Sequence, residues 1–222
     1  MLLAVDTSTA QMGLALFDGT RILAEAMWST QQHHTTELAP AVADLLRRCG
    51  VPVDRLQALG VALGPGSFTA LRVGLAFAKG LALARHLPLV GIPSLDVVAA
   101  GHAGSKHRLA AVLQAGRGRL AIGWYKFKRD HWDAVGPAQI GTADTLANSI
   151  HEPTLVAGEL TAEDRQRLAR KHVNVILVSP ANSIRRPALL AELAWARWKG
   201  SEVDDPAGLA PIYLHLSEAA AA

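Results

Sequence analysis

Leu2-Leu3-Ala4-Val5-Asp6-Thr7-Ser8-Thr9 opens the chain with an unbroken apolar run that stops at a carboxylate followed by three hydroxyls. A short run that is apolar at every position suits a strand covered on both faces. Residues 12–16 read as a second strand, Asp18-Gly19 as a hairpin turn and residues 21–28 as a third strand. Residues 34–49 then carry Leu38, Val42, Leu45 and Leu46 at helical spacing, and Gly50 is placed to end that helix. Residues 58–63 form another buried-type strand, closed by Gly64-Pro65-Gly66. Ser67 caps a helix that runs to about His86; Leu89-Val90-Gly91 is a short strand, and Ser94 is placed to cap the next helix.

The order then restarts. Residues 109–113 are an apolar strand ending in the polar turn Gln114-Ala115-Gly116-Arg117-Gly118, and residues 120–127 are a second strand turned by Lys128-Arg129-Asp130. A short helix (142–150), a strand (154–157), a helix (161–171) and a strand (173–178) follow. The helix at 161–171 has Asp164 early and Arg170 late, as the helix dipole favours. An amphipathic helix at 186–199 begins near Pro187. Each half therefore reads strand, polar turn, strand, strand, helix, strand, helix, which predicts an α/β duplication with two mixed sheets. A three-strand meander before the first helix, present twice, points to the actin, hexokinase and Hsp70 (ASKHA) architecture, in which two halves face a nucleotide cleft. The boundary is expected near Gly101-His102-Ala103-Gly104, giving subdomains 1–101 and 102–222, with the final segment able to pack back on the first half.

Composition narrows the function classes. The chain has 222 residues, half of them hydrophobic but only 5% aromatic, so its apolar mass is mostly Ala, Leu and Val, as helices packed on a sheet require. Lys and Arg number 22 against 19 Asp and Glu, and form no dense run, so direct tight binding of nucleic acid is not indicated. The five Trp and two Tyr are scattered and offer no stacking platform for RNA. A single Cys49 allows no internal disulfide and reads as a small hydrophobe near a helix end. Asp6 interrupts the apolar start at once, which speaks against a secretion signal, and the apolar stretch 71–90 is broken by Arg72, Lys79, Arg85 and His86, which speaks against a membrane span. A soluble cytoplasmic protein is expected.

Two loops invite a ligand. Asp6, Thr7 and Ser8 stand where this architecture grips phosphate, and Gly64, Gly66 and Ser67 join a strand to a helix N-terminus whose amides suit an anion. Together they read as a degenerate phosphate loop; the plain alternative is a capped turn without ligand. It is not a Walker motif, since no Gly-Lys-Ser/Thr follows. The mirror loop of the second half carries Gln114, which supplies neither a general base nor an anionic metal anchor. His33 and Glu37 are correctly spaced for a pair of metal ligands but stand alone. The helix at 67–86 is apolar nearly all round, so it is covered on more than one side. His34, Leu38, Val42 and Leu45 of the first helix, with Leu71, Gly74, Leu75, Ala78 and Ala82 of the second, are the expected partner face; the alternative is that these residues are ordinary core.

Four strings resemble the TsaB (YeaZ) family: residues 2–9, His34-Thr-Thr-Glu-Leu-Ala-Pro40, Gly64-Pro-Gly-Ser-Phe-Thr-Ala-Leu-Arg-Val-Gly74 and Gly91-Ile-Pro-Ser-Leu-Asp96. They match in order and spacing over about residues 1–100; the later likeness, at 109–127 and Pro211-Ile-Tyr-Leu214, is looser. The resemblance implies a non-catalytic subunit that pairs with its catalytic paralogue TsaD and supports transfer of threonylcarbamoyl to the tRNA adenosine beside the anticodon. It implies TsaE as a further partner, a homodimer when TsaD is missing, tRNA contacted only indirectly and no membrane. TsaD holds a metal through a His-x-x-x-His pair whose counterparts here are Ser94 and Val98, so no metal and no intrinsic cofactor are expected; ATP or ADP enters only at the level of the complex. The competing readings are an independent actin-fold kinase, which needs a second acidic loop, and a glycoprotease-like peptidase, which needs a nucleophile with its base or a metal. A self-contained homodimeric module is a third. The tail Ser217-Glu-Ala-Ala-Ala-Ala222 is expected to fray.

Overall fold

A computed structural model of the chain describes residues 1–30, 33–171 and 173–214; the tail 217–222 lies outside them. The first sheet is built from β1 (Leu2–Asp6), β2 (Gln11–Phe17), β3 (Ile22–Ser29), β4 (Ala58–Ala62) and β5 (Leu89–Ile92), in the order β3-β2-β1-β4-β5. β1 runs antiparallel to β2 and parallel to β4. Between these strands come α1 (His34–Arg48) and α2 (Phe68–Arg85), and α3 (Ser94–Ala100) follows β5.

The second sheet takes β6 (Arg108–Gln114), β7 (Leu120–Lys128), β8 (His131–Ala134), β10 (Thr154–Gly158) and β11 (Val175–Leu177) in the order β11-β10-β6-β7-β8, with β9 (Gln139–Gly141) added on β7. Counted from its own first strand, this is the order of the first sheet, so the chain is a duplicated actin-like α/β fold. The short β9 was not expected from the sequence, because three residues carry too little periodicity to register. α4 (Ala143–Asn148) and α5 (Ala162–Lys171) cover one face of this sheet, where Leu146, Ile150 and Leu168 meet Val112, Ile122 and Val156.

The chain forms two compact units. One joins Met1–Val97 to Arg185–Ile212; among the described residues the other is Val98–Ile184 with Tyr213 and Leu214. Strand alternation explains why α6 (Pro187–Lys199) joins the first unit. On β1, Leu3 and Val5 face α1 and α2, while Leu2 and Ala4 face α6. The α1/α2 side is large, with Met12, Leu14, Leu16, Leu59 and Val61. The α6 side is small, with Ala4, Ala15, Ala58 and Ala62, so that Leu190, Ala191 and Ala194 lie close on the sheet and are fully buried. The edge at β5 is covered by the returning chain: Asp204 N–H donates to Leu89 O at 2.9 Å, and Gly91 N–H donates to Asp204 Oδ2 at 2.7 Å.

Candidate functional site

Asp6 ends β1 and Thr7, Ser8 and Thr9 follow it, and all four are at least 95% buried. The structure brings them against the Gly64–Ser67 loop, as the sequence reading proposed, but their polar atoms bond within the protein. Thr7 Oγ1 donates to Ala70 O at 2.7 Å, and Ser67 N–H donates to Ser8 O at 2.7 Å. The close fit accounts for two glycines of the long string. A Cβ on Gly66 would stand 1.9 Å from Ser8 O, and one on Gly74 would stand 2.2 Å from Thr7 Oγ1. Ser67 caps α2 by accepting from Ala70 N–H at 3.5 Å.

Asp6 has a partner that no local pattern of residues announces. Arg185 Nε donates to Asp6 Oδ2 at 2.5 Å, and its Nη2 lies 3.4 Å from Asp6 Oδ1. Nη2 also donates to Thr9 Oγ1 and to Gln11 O, at 3.2 and 3.3 Å. Both side chains of this ion pair are 1% exposed. Asp6 Oδ1 accepts a further bond from Ser8 N–H at 2.9 Å. With a guanidinium across both of its oxygens, Asp6 is not poised to receive a metal–phosphate group. Arg185 stands 179 positions along the chain in an unremarkable Arg-Arg pair, so only the fold reveals the contact.

Ser94 was read as a helix cap and as one of the two positions that lack metal ligands. It begins α3, and its hydroxyl lies 2.6 Å from Ser8 Oγ while accepting from Gly64 N–H at 3.0 Å. Val98, one turn on, is 2% exposed. Among the described residues no group of three or more His, Cys, Asp or Glu is arranged to hold a metal. Glu37 accepts from Trp28 Nε1 at 2.7 Å and from Thr30 Oγ1 at 3.1 Å, with His33 Nδ1 3.8 Å away. The indole hydrogen bond is the main reason that Glu37 stays ionised below the usual carboxylate range. In the second unit Gln114 Nε2 donates to Asp164 Oδ2 at 3.1 Å and to Glu159 O at 3.2 Å. Asp164 also accepts from Thr161 N–H and Oγ1 at the start of α5. The amide at 114 is therefore the donor that this capping carboxylate needs.

The stripe named from sequence as a partner face is corrected by the structure. Leu38, Val42, Leu45, Leu71, Leu75, Ala78 and Ala82 are between 1% and 6% exposed, Gly74 is buried against Thr7, and most of them form the core between the helices and the first sheet. His34 is buried too: its Nε2 lies 2.9 Å from Thr9 O and clips the start of α1 to the loop after β1. Helical spacing alone could not choose the inward side of a helix that is apolar nearly all round: the side with Ala70, Leu71, Gly74, Leu75, Ala78 and Ala82 is buried, while Phe68 and Leu83 are exposed. The outward stripe lines an open groove of about 430 Å³ between α1 and α2, formed by Thr35, Ala39, Phe68, Arg72, Ala76 and Phe77 among others. Phe68 is 53% exposed there, with the Arg72 guanidinium 3.7 Å from its ring centre. No described helix is long and apolar enough to cross a membrane.

Comparisons with known proteins agree over most of the chain. A family model described as TsaD, tRNA N6-adenosine threonylcarbamoyltransferase, matches residues 21–194. The tRNA threonylcarbamoyladenosine biosynthesis protein TsaB of Bacillus subtilis is 32% identical over 224 residues, spanning 99% of this chain and 96% of that protein. TsaB of Escherichia coli is 35% identical over 130 residues, spanning 58% of this chain and 55% of its own. YeaZ from Pseudomonas aeruginosa superposes with a TM-score of 0.78 at 25% identity, covering 96% of this chain and 99% of that one. Near-full-length identity to TsaB and near-full-length superposition on YeaZ place this chain in the TsaB (YeaZ) family.

Proposed function

We propose that this chain is a non-catalytic subunit of the cytoplasmic machinery that makes threonylcarbamoyladenosine on tRNA, and that it docks a TsaD chain through the outward faces of α1 and α2. The observation that carries this reading is the open, mainly apolar groove between α1 and α2, with Phe68 exposed at its rim. A TsaD chain is a suitable occupant because the TsaD family model fits this chain from β3 to α6, so that TsaD offers helices like α1 and α2 for helix-on-helix packing. Two features support the absence of chemistry. Asp6 is ion-paired internally, and Gln114 stands where a second acidic loop would be needed. TsaE and a second copy of this chain are the further partners the reading implies, with ATP or ADP handled by the complex. The test is co-purification with TsaD of the same organism. Phe68→Glu should abolish it while the chain alone melts as the wild type does; undiminished capture by Phe68→Glu would refute docking at this groove.

A further inference from the structure

The loops after β1 and β4 lie at the carboxyl ends of adjacent strands, with β1 flanked on one side by an antiparallel and on the other by a parallel neighbour. From β1 the strand order runs outward through β2 and β3, and from β4 the other way to β5; open α/β sheets bind ligands at the carboxyl ends of strands where the order reverses in this way. A carboxylate there, Asp6, would anchor a divalent cation carrying phosphate in an active member of the fold. The residues present do not fit that group. A buried cation from the same unit already spans both oxygens, and the backbone of the two loops is in contact through Ser67 N–H and Ser8 O.

We propose that Arg185 is a tethered substitute for that cation, holding the Asp6–Thr9 loop closed without any ligand. An ionised carboxylate buried without a counter-charge is strongly unfavourable, so a charged Asp6 requires a positive group beside it. Here the positive group is covalently part of the chain and reaches Thr9 and Gln11 O as well as Asp6, fixing the loop at three points. Loop closure is thereby uncoupled from nucleotide or metal. The inference rests on this pair and not on the partner-subunit reading; a chain that failed to stimulate TsaD would leave it standing.

The test is chemical rescue read by thermal unfolding of the full chain. Arg185→Ala should lower the midpoint by roughly 10 °C, because one member of a buried ion pair is removed. Methylguanidinium chloride at millimolar concentration should recover part of that loss. N-methylurea, which has a similar shape but no charge, should not, and neither should methylguanidinium in Asp6→Asn/Arg185→Ala. The wild type should show no shift with magnesium and ATP that depends on Asp6. Equal recovery by N-methylurea, recovery without Asp6, or an Asp6-dependent shift of the wild type by magnesium–ATP would overturn the proposal. If Arg185→Ala does not fold, Asp6→Asn/Arg185→Met decides: a folded double variant supports the pairing, and an unfolded one shows that Arg185 matters for something other than the charge of Asp6.

Discussion

Ala76 and Ala78 stand two residues apart on α2, and the structure gives them opposite surroundings. Ala78 is 1% exposed and packs in the core with Leu75, Ala82 and the first sheet; Ala76 is exposed and lines the outer groove. Ala78→Glu forces a carboxylate and two methylenes into that core. Overpacking costs about 1–3 kcal/mol and an unpaired buried charge several more, so a loss of about 5 kcal/mol is expected. For a chain of this size each kcal/mol moves the midpoint by roughly 2–4 °C, which makes the fall about 10–20 °C. Ala76→Glu should change the stability of the isolated chain by no more than about 0.5 kcal/mol. Placed in a helix-packed interface, the same carboxylate should cost at least about 2 kcal/mol of association, roughly 30-fold in affinity for TsaD. Calorimetry of each variant, followed by titration into TsaD, reads both quantities. An Ala78→Glu chain that melts like the wild type yet loses its partner would refute the assignment of inner and outer stripes.

Two further perturbations probe the loops. Gln114→Glu replaces the donor to Asp164 with a second carboxylate, and about 2–4 kcal/mol of stability should be lost by thermal unfolding with no gain in ATP turnover. Glu37 has its pKa lowered in the folded state from 4.5, chiefly by the Trp28 indole. Its contribution is therefore complete above that value and lost as pH falls below it through the lowered one. Trp28→Phe should narrow its stability gap to the wild type as pH drops from 6 to about 3; a gap constant with pH would show that the indole acts by packing alone.

Much of the fold could be read from local pattern. The apolar run 2–5, the Asp18-Gly19 turn and the strand-helix order repeated after residue 108 each depend on neighbours in sequence, and the elements they predicted are present. Contacts distant in sequence were not legible. α6 follows β11 in the chain but packs on the first sheet, because the small Ala4, Ala15, Ala58 and Ala62 face leaves room for it. The partner of Asp6 comes from the start of that same returning segment. From sequence, Gly66 reads as freedom for a phosphate loop and Gly74 as part of a partner face; the structure explains both by the room that Ser8 O and Thr7 Oγ1 need. On α2 both stripes are apolar, so the sequence indicated that two sides are covered without saying which side the protein's own core takes.

As proposed, this chain contributes to threonylcarbamoylation of tRNA as a partner and not as a catalyst. Reconstitution tests this: TsaD and TsaE of the same organism, an activated threonylcarbamoyl donor, ATP and tRNA, with and without this chain, counting modified adenosines. The expected result is no product from this chain alone, strong dependence of the TsaD reaction on its presence, loss of that dependence with Ala76→Glu or Phe68→Glu, and full activity with a folded Ser94→Ala chain. Product formed at the same rate without the chain, or modification by the chain in the absence of TsaD, would contradict it.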